Sequence, residues 1–211
     1  MFQTTIALFN QYCQRLSDAG VPFRGDAANE VRERLLHLTY LVERVRQLER
    51  QARELMTRGT EEIQLYIEET KKAGIEFDPA NLPAAAKRSP EEIKNLDAWT
   101  TEAQIFTEAF YYFSGRIRSL LRHKSEPIPR LHSFECEGVR NVRNHLIEHP
   151  EGGNSLVLIR SFGWVGDNGP VVKAVRYSHQ EKTFPDAGLY RNAEVFKANL
   201  ERLLQQDPTS P

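Results

Sequence analysis

Cysteine is scarce in this chain, with only Cys13 and Cys136 among 211 residues. Two cysteines cannot build a disulfide framework, so a reducing cytoplasm is the expected setting. No apolar run approaches the ~20 residues needed to cross a bilayer, so no membrane partner is expected. The start, Met1-Phe2-Gln3-Thr4-Thr5-Ile6, lacks the basic stretch and small-residue cleavage site of a secretory leader. There is no excess of either charge, the net value being −1, so no global basic field points to nucleic acid. Repeats and low-complexity segments are missing too. What remains is ordinary for a globular domain: 40% hydrophobic and 27% charged residues.

Helical periodicity fills the first two thirds. Phe2, Ile6, Phe9, Cys13 and Leu16 step 4-3-4-3, and Gly20 with Pro22 ends that helix. Asp26 is a candidate cap for the next, in which Leu38, Leu41, Val45, Leu48, Ala52 and Leu55 form a seam for another helix. Gly59 is expected to break or bend this run before it continues through Ile63, Tyr66 and Ile67. Phe77 to Arg88 reads as a connecting loop. Ser89-Pro90-Glu91-Glu92 then supplies a cap, a proline at the first helical position and a reciprocal carboxylate. Ile93, Leu96, Trp99, Ala103, Phe106, Phe110, Phe113, Ile117 and Leu120 keep helical phase to about His123. At this spacing the aromatic stripe reads as core rather than as a ligand box. Ser133 is a candidate cap for a fourth helix, which must stop before Pro150.

The period then changes. Ser155 to Trp164 and Val171 to Tyr177 read as two strands around Gly166-Asp167-Asn168-Gly169-Pro170, a hairpin. Asp186 is a candidate cap for a last helix carrying Leu189, Ala193, Phe196, Leu200 and Leu203. The expected fold is mainly α: a bundle of four or more helices with a small β-hairpin and a docked C-terminal helix. Residues 1–150 would form the bundle and 151–211 the hairpin and last helix, within one domain.

Acid–base chemistry concentrates in Arg140-Asn141-Val142-Arg143-Asn144-His145-Leu146-Ile147-Glu148-His149. From Ser114 to His145 there are seven arginines and lysines against three glutamates. Arg116, Arg118 and Arg122 belong to this basic stretch and are candidate contacts for an RNA backbone. On a helical wheel Val139, Val142 and Leu146 cluster toward the core. Asn141, His145 and Glu148 fall on the opposite face, and Arg143 lies nearer the core stripe, where it can support a neighbouring helix.

These residue types suit RNA cleavage. That reaction needs proton transfers at the ribose 2′-hydroxyl and the leaving oxygen, which histidine performs near neutrality. It also needs a fixed cation at the phosphorane, which the arginine fork supplies. Arg140-Asn141-Val142-Arg143-Asn144-His145 resembles the Arg-polar-x-x-x-His signature of the HEPN superfamily of helical domains. Arg143-Asn144-His145-Leu146-Ile147-Glu148-His149 resembles its longer-spaced variant. The resemblance implies a metal-independent endoribonuclease, acting on single-stranded RNA through a composite site at a homodimer. It assigns Arg140 to the phosphate, Asn141 to orientation and His145 to proton transfer, or Arg143, Asn144 and His149 in the second register. The first register is favoured because Asn141 and His145 share the polar face. The resemblance implies neither cofactor nor metal, and it allows a regulatory partner protein.

Two other readings fit the same residues. His145-Leu146-Ile147-Glu148-His149 has the H-x-x-E-H order of inverzincin metallopeptidases, with a third ligand needed from Glu181, Glu194 or Glu201. Alternatively the stretch is a solvated helix end, its histidine near the C-terminal dipole and its arginines in weak exposed pairs. A non-catalytic module for protein interaction or nucleotide binding is the competing class. The leucine seam and the aromatic third helix would then carry the function. Cys13 reads as core, and Cys136, between Glu135 and Glu137, is a poor setting for a thiolate.

Overall fold

A computed structural model describes residues 1–82, 87–143, 155–160, 171–176 and 181–208, with 155–187 described by backbone. The chain is mainly helical: α1 (Gln3–Asp18), α2 (Gly25–Lys72), α3 (Pro90–Leu121), α4 (Glu137–Arg143) and α5 (Leu189–Leu204). Strands β1 (Ser155–Arg160), β2 (Val171–Arg176) and β3 (Glu181–Gly188) form an antiparallel sheet in that order.

The long pair α2 and α3 organises the fold. Residues advancing along α2 meet residues receding along α3, so the helices are antiparallel. Arg116 pairs with Glu30, Arg44 with Glu102, and Arg58 with Glu92. Their inner halves bury Val31, Leu35, Leu38, Val42, Val45 and Leu48 against Phe110, Tyr111, Ile117 and Leu121, all fully enclosed. Such side chains contribute about 1.5–3 kcal/mol each when removed from water. Apart from Thr70, the burial in α2 ends at Ala52, and in α3 it begins only at Ala103. The outer halves therefore form a two-helix arm that bears exposed Leu65 and Ile93, with exposed Ile75 just past the end of α2.

α1 and α5 close the core. Phe196 of α5 stacks edge-on with both Phe2 and Phe134, at centroid separations of 6.1 and 5.0 Å. Thr5 Oγ1 donates to Glu201 at 2.7 Å, and Arg15 Nη2 donates to the Leu204 carbonyl at 2.5 Å. Tyr12 ties in the loop after α3 by donating its hydroxyl to the Pro129 carbonyl at 2.9 Å. Burial drives that phenol up to about 12.

Several expected boundaries move. Asp26 does not cap α2, because Arg24 takes the extended cap conformation and donates its guanidinium to Asp26 within the first turn. Gly59 does not break α2, which runs unbroken over 48 residues, and nothing crowds this glycine. Ser133 is not the cap of α4, which starts at Glu137 after the buried anchors Phe134 and Cys136. Asp186 lies in β3, and Gly188 occupies the N-cap position of α5 with no side-chain cap. The sequence reading places no strand at β3; its pairing with β2 shifts register between Val171 and Lys173, opposite the stretch that holds Pro185. The end of the first expected strand, Ser161 to Trp164, the expected turn Gly166 to Pro170, and the fourth helix beyond Arg143 lie outside the described residues.

Candidate functional site

α4 is one short element held from three sides. Val139 and Val142 are 0% and 1% exposed, which fixes the rotation of the helix. Gly138 lies against Asn192 of α5, where a methyl group would overlap Asn192 Oδ1. Asn192 is itself buried and donates Nδ2 to the Tyr111 hydroxyl at 2.9 Å. On the far side the Arg143 stem crosses Gly115 of α3, and its Nη1 donates to Ser119 Oγ at 3.3 Å. Each contact needs a small residue at one specific place.

With that rotation set, Arg140 and Asn141 are half-buried on the side away from Val139 and Val142. Arg140 pairs with Glu137 one turn earlier at 3.5 Å. Arg143 is turned instead toward α3, the direction its place near the core stripe suggests. Asn144, His145 and His149 lie outside the described residues, as does Glu148.

The three basic residues of α3 are not gathered on one surface. Arg118 and Arg122 both pair with Glu135, which leads into α4. Arg116 faces α2 and binds Glu30 through two hydrogen bonds of 2.7 and 3.0 Å. That pairing holds the Glu30 carboxyl below its usual range. Only Arg118 and Arg122 thus share the neighbourhood of α4, and a common carboxylate offsets their charge. Cys136 is 1% exposed and burial raises its thiol, as expected of an inert structural cysteine. Of the carboxylates considered for zinc, Glu201 accepts from Thr5 and Lys197, and Glu194 is exposed.

A second site was not anticipated. Between α2 and the first turn of α5 lies a cavity of about 760 Å³, walled by Tyr40, Arg44, Arg46, Arg50, Arg53 and Tyr190, among others. Glu49 lies in its floor, 5% exposed, and accepts the Tyr190 hydroxyl at 2.5 Å through Oε2. Its other oxygen, Oε1, is buried with no hydrogen-bond partner among the described residues. Burial pushes the Glu49 carboxyl up, against the opposing pull of the Tyr190 hydrogen bond, Arg53 and Arg46. The Arg46 guanidinium lies 4.8 Å from the Tyr190 ring centre. One signal was available in the sequence: a glutamate beside the buried seam position Leu48, with arginines at helical spacing around it. Tyr190, 141 residues further on, could not be joined to it without the fold.

No family model matches the chain, and neither a curated protein nor a solved structure matches it.

Proposed function

We propose that the chain is a HEPN-like, metal-independent endoribonuclease for single-stranded RNA, acting as a homodimer. Arg140 engages the phosphate, Asn141 orients it and His145 transfers the proton. The observation that carries this reading is the rotation of α4. Val139 and Val142 are buried and Arg143 is engaged with α3, so Arg140 and Asn141 occupy a different face from the structural residues. This favours the Arg140-Asn141-His145 register over Arg143-Asn144-His149, since an arginine committed to packing is poorly placed to follow a phosphorane. Arg118 and Arg122, two cations against the single carboxylate of Glu135, leave one net positive charge at this border for the RNA backbone.

The test is cleavage of an end-labelled single-stranded RNA in EDTA. Wild-type chain is expected to cleave, and Arg140→Ala and His145→Ala are expected not to. Cleavage that survives both substitutions would remove the assignment. Stoichiometric zinc in the purified chain would favour the metallopeptidase reading instead.

A non-catalytic interaction module is the second reading. The observation that favours it is the two-helix arm with exposed Leu65 and Ile93. In that case neither Arg140→Ala nor His145→Ala has a phenotype, and capture of a partner protein depends on the arm.

A further inference from the structure

The cavity between α2 and α5 has the features of a ligand site and lies on a different surface of α2 from the core seam. Its volume of about 760 Å³ falls within the ~300–1,000 Å³ typical of small-molecule pockets. Its charges are unevenly spent. Arg44 is already held by Glu102 through bonds of 2.8 and 3.0 Å. Glu43 binds the N-terminal amine at 3.0 Å. Among the described residues, Arg46 and Arg50 make no ion pair, and they are one helical turn apart on the same wall. Two guanidinium groups so placed match the charge of a phosphate monoester, which is close to −2 at neutral pH.

The floor adds a complementary requirement. Glu49 Oε1 is buried and unpartnered while Oε2 is held by Tyr190. A desolvated oxygen without a partner is unfavourable, so it is best completed by a donor from a bound molecule. Arg46 also covers the Tyr190 ring and so links the cationic wall to this floor.

We propose that this cavity binds a small phosphorylated molecule bearing a hydroxyl or amino group. Arg46 and Arg50 hold the phosphate, and Glu49 Oε1 accepts the donor. Tyr190 keeps the Glu49 carboxyl in place by occupying its second oxygen. The site is independent of the α4 motif and does not require that motif to be catalytic.

Isothermal titration of the full-length chain at low salt tests this, with ribose 5-phosphate as the probe and inorganic phosphate as the anion-only comparison. One-to-one binding of ribose 5-phosphate is expected, tighter than that of inorganic phosphate. Arg50→Glu, at an exposed position that the fold does not use, should weaken it roughly tenfold or more. Glu49→Gln should abolish the preference for the sugar phosphate while its thermal transition shows that the chain still folds. No heat with either probe would overturn the proposal, and so would equal binding by wild type and Arg50→Glu. A third arm uses oligouridylate: if it binds, loses binding in Arg50→Glu, and ribose 5-phosphate does not bind, the cleft belongs to RNA and the small-ligand proposal fails.

Discussion

Gly138 and Asn192 touch so closely across the α4–α5 contact that no side chain fits between them. Asn192 cannot simply swing away, because it is buried and bonded to Tyr111. Gly138→Ala should therefore destabilise the chain by about 1–3 kcal/mol, despite the better helix propensity of alanine. In an Asn192→Ala background the same change should cost much less. A double-mutant cycle by chemical denaturation measures this, and equal costs in both backgrounds would show that the two residues do not meet.

Arg140 and Arg143 should separate in their effects. Arg140→Ala is expected to cost less stability than Arg143→Ala, since its pair with Glu137 is exposed. It should lower RNA cleavage roughly 10²–10³-fold, as loss of a transition-state charge partner does. Arg143→Ala should act the other way, reducing stability through its lost packing on Gly115. Thermal melts run beside cleavage rates check both, and a reversed pattern would move the site to the second register.

Glu49 gives a pH dependence with a definite sign. Its folded-state carboxyl is raised by burial, so just above the ordinary carboxylate range the folded chain holds a proton that the unfolded chain has already released. Its contribution is complete below the ordinary carboxylate range and fades as pH rises through the raised value. Wild type should gain stability relative to Glu49→Gln as pH falls from above neutrality toward the ordinary carboxylate range. If the stability difference stays flat across that window, the carboxyl is ionised throughout and the raised value is wrong.

Ser89 closes the outer end of α3 with a reciprocal cap, its Oγ accepting from Glu92 N at 3.2 Å and Glu92 Oε2 accepting from Ser89 N at 2.8 Å. Ser89→Ala should cost about 1 kcal/mol. Hydrogen exchange should place the loss in the first turns of α3, with the Phe110 to Leu121 amides unaffected. Protection lost equally along the helix would mean that the arm and the core open together.

The start of α3 was legible because its signal is local: Ser89, Pro90 and Glu92 lie within four positions and satisfy one another. α1 and α5 were legible because their apolar steps are regular and Phe9, Leu16, Phe196 and Leu200 are all buried. Asp26, Ser133 and Asp186 misled because a capping residue is only a capacity. Arg24, the anchors Phe134 and Cys136, and strand β3 decide otherwise from outside the local window. At the candidate site, the rotation of α4 followed from two valines. The tie between Glu49 and Tyr190 spans two helices distant in sequence, and no periodicity announces such a pair.

The two-helix arm has a mechanical consequence. Residues 53–72 alone extend roughly 30 Å at ~1.5 Å per residue. Little of that length is anchored in the core, so its outer turns rest on cross-arm contacts such as the pair Arg58–Glu92. Unzipping should begin at the far end and stop where Ala52 and Ala103 enter the packed interior. The arm therefore acts as a cantilever with a fixed root. Whatever grips its tip can bend it without disturbing α4, whose own attachments at Gly115, Ser119 and Asn192 lie beyond the root.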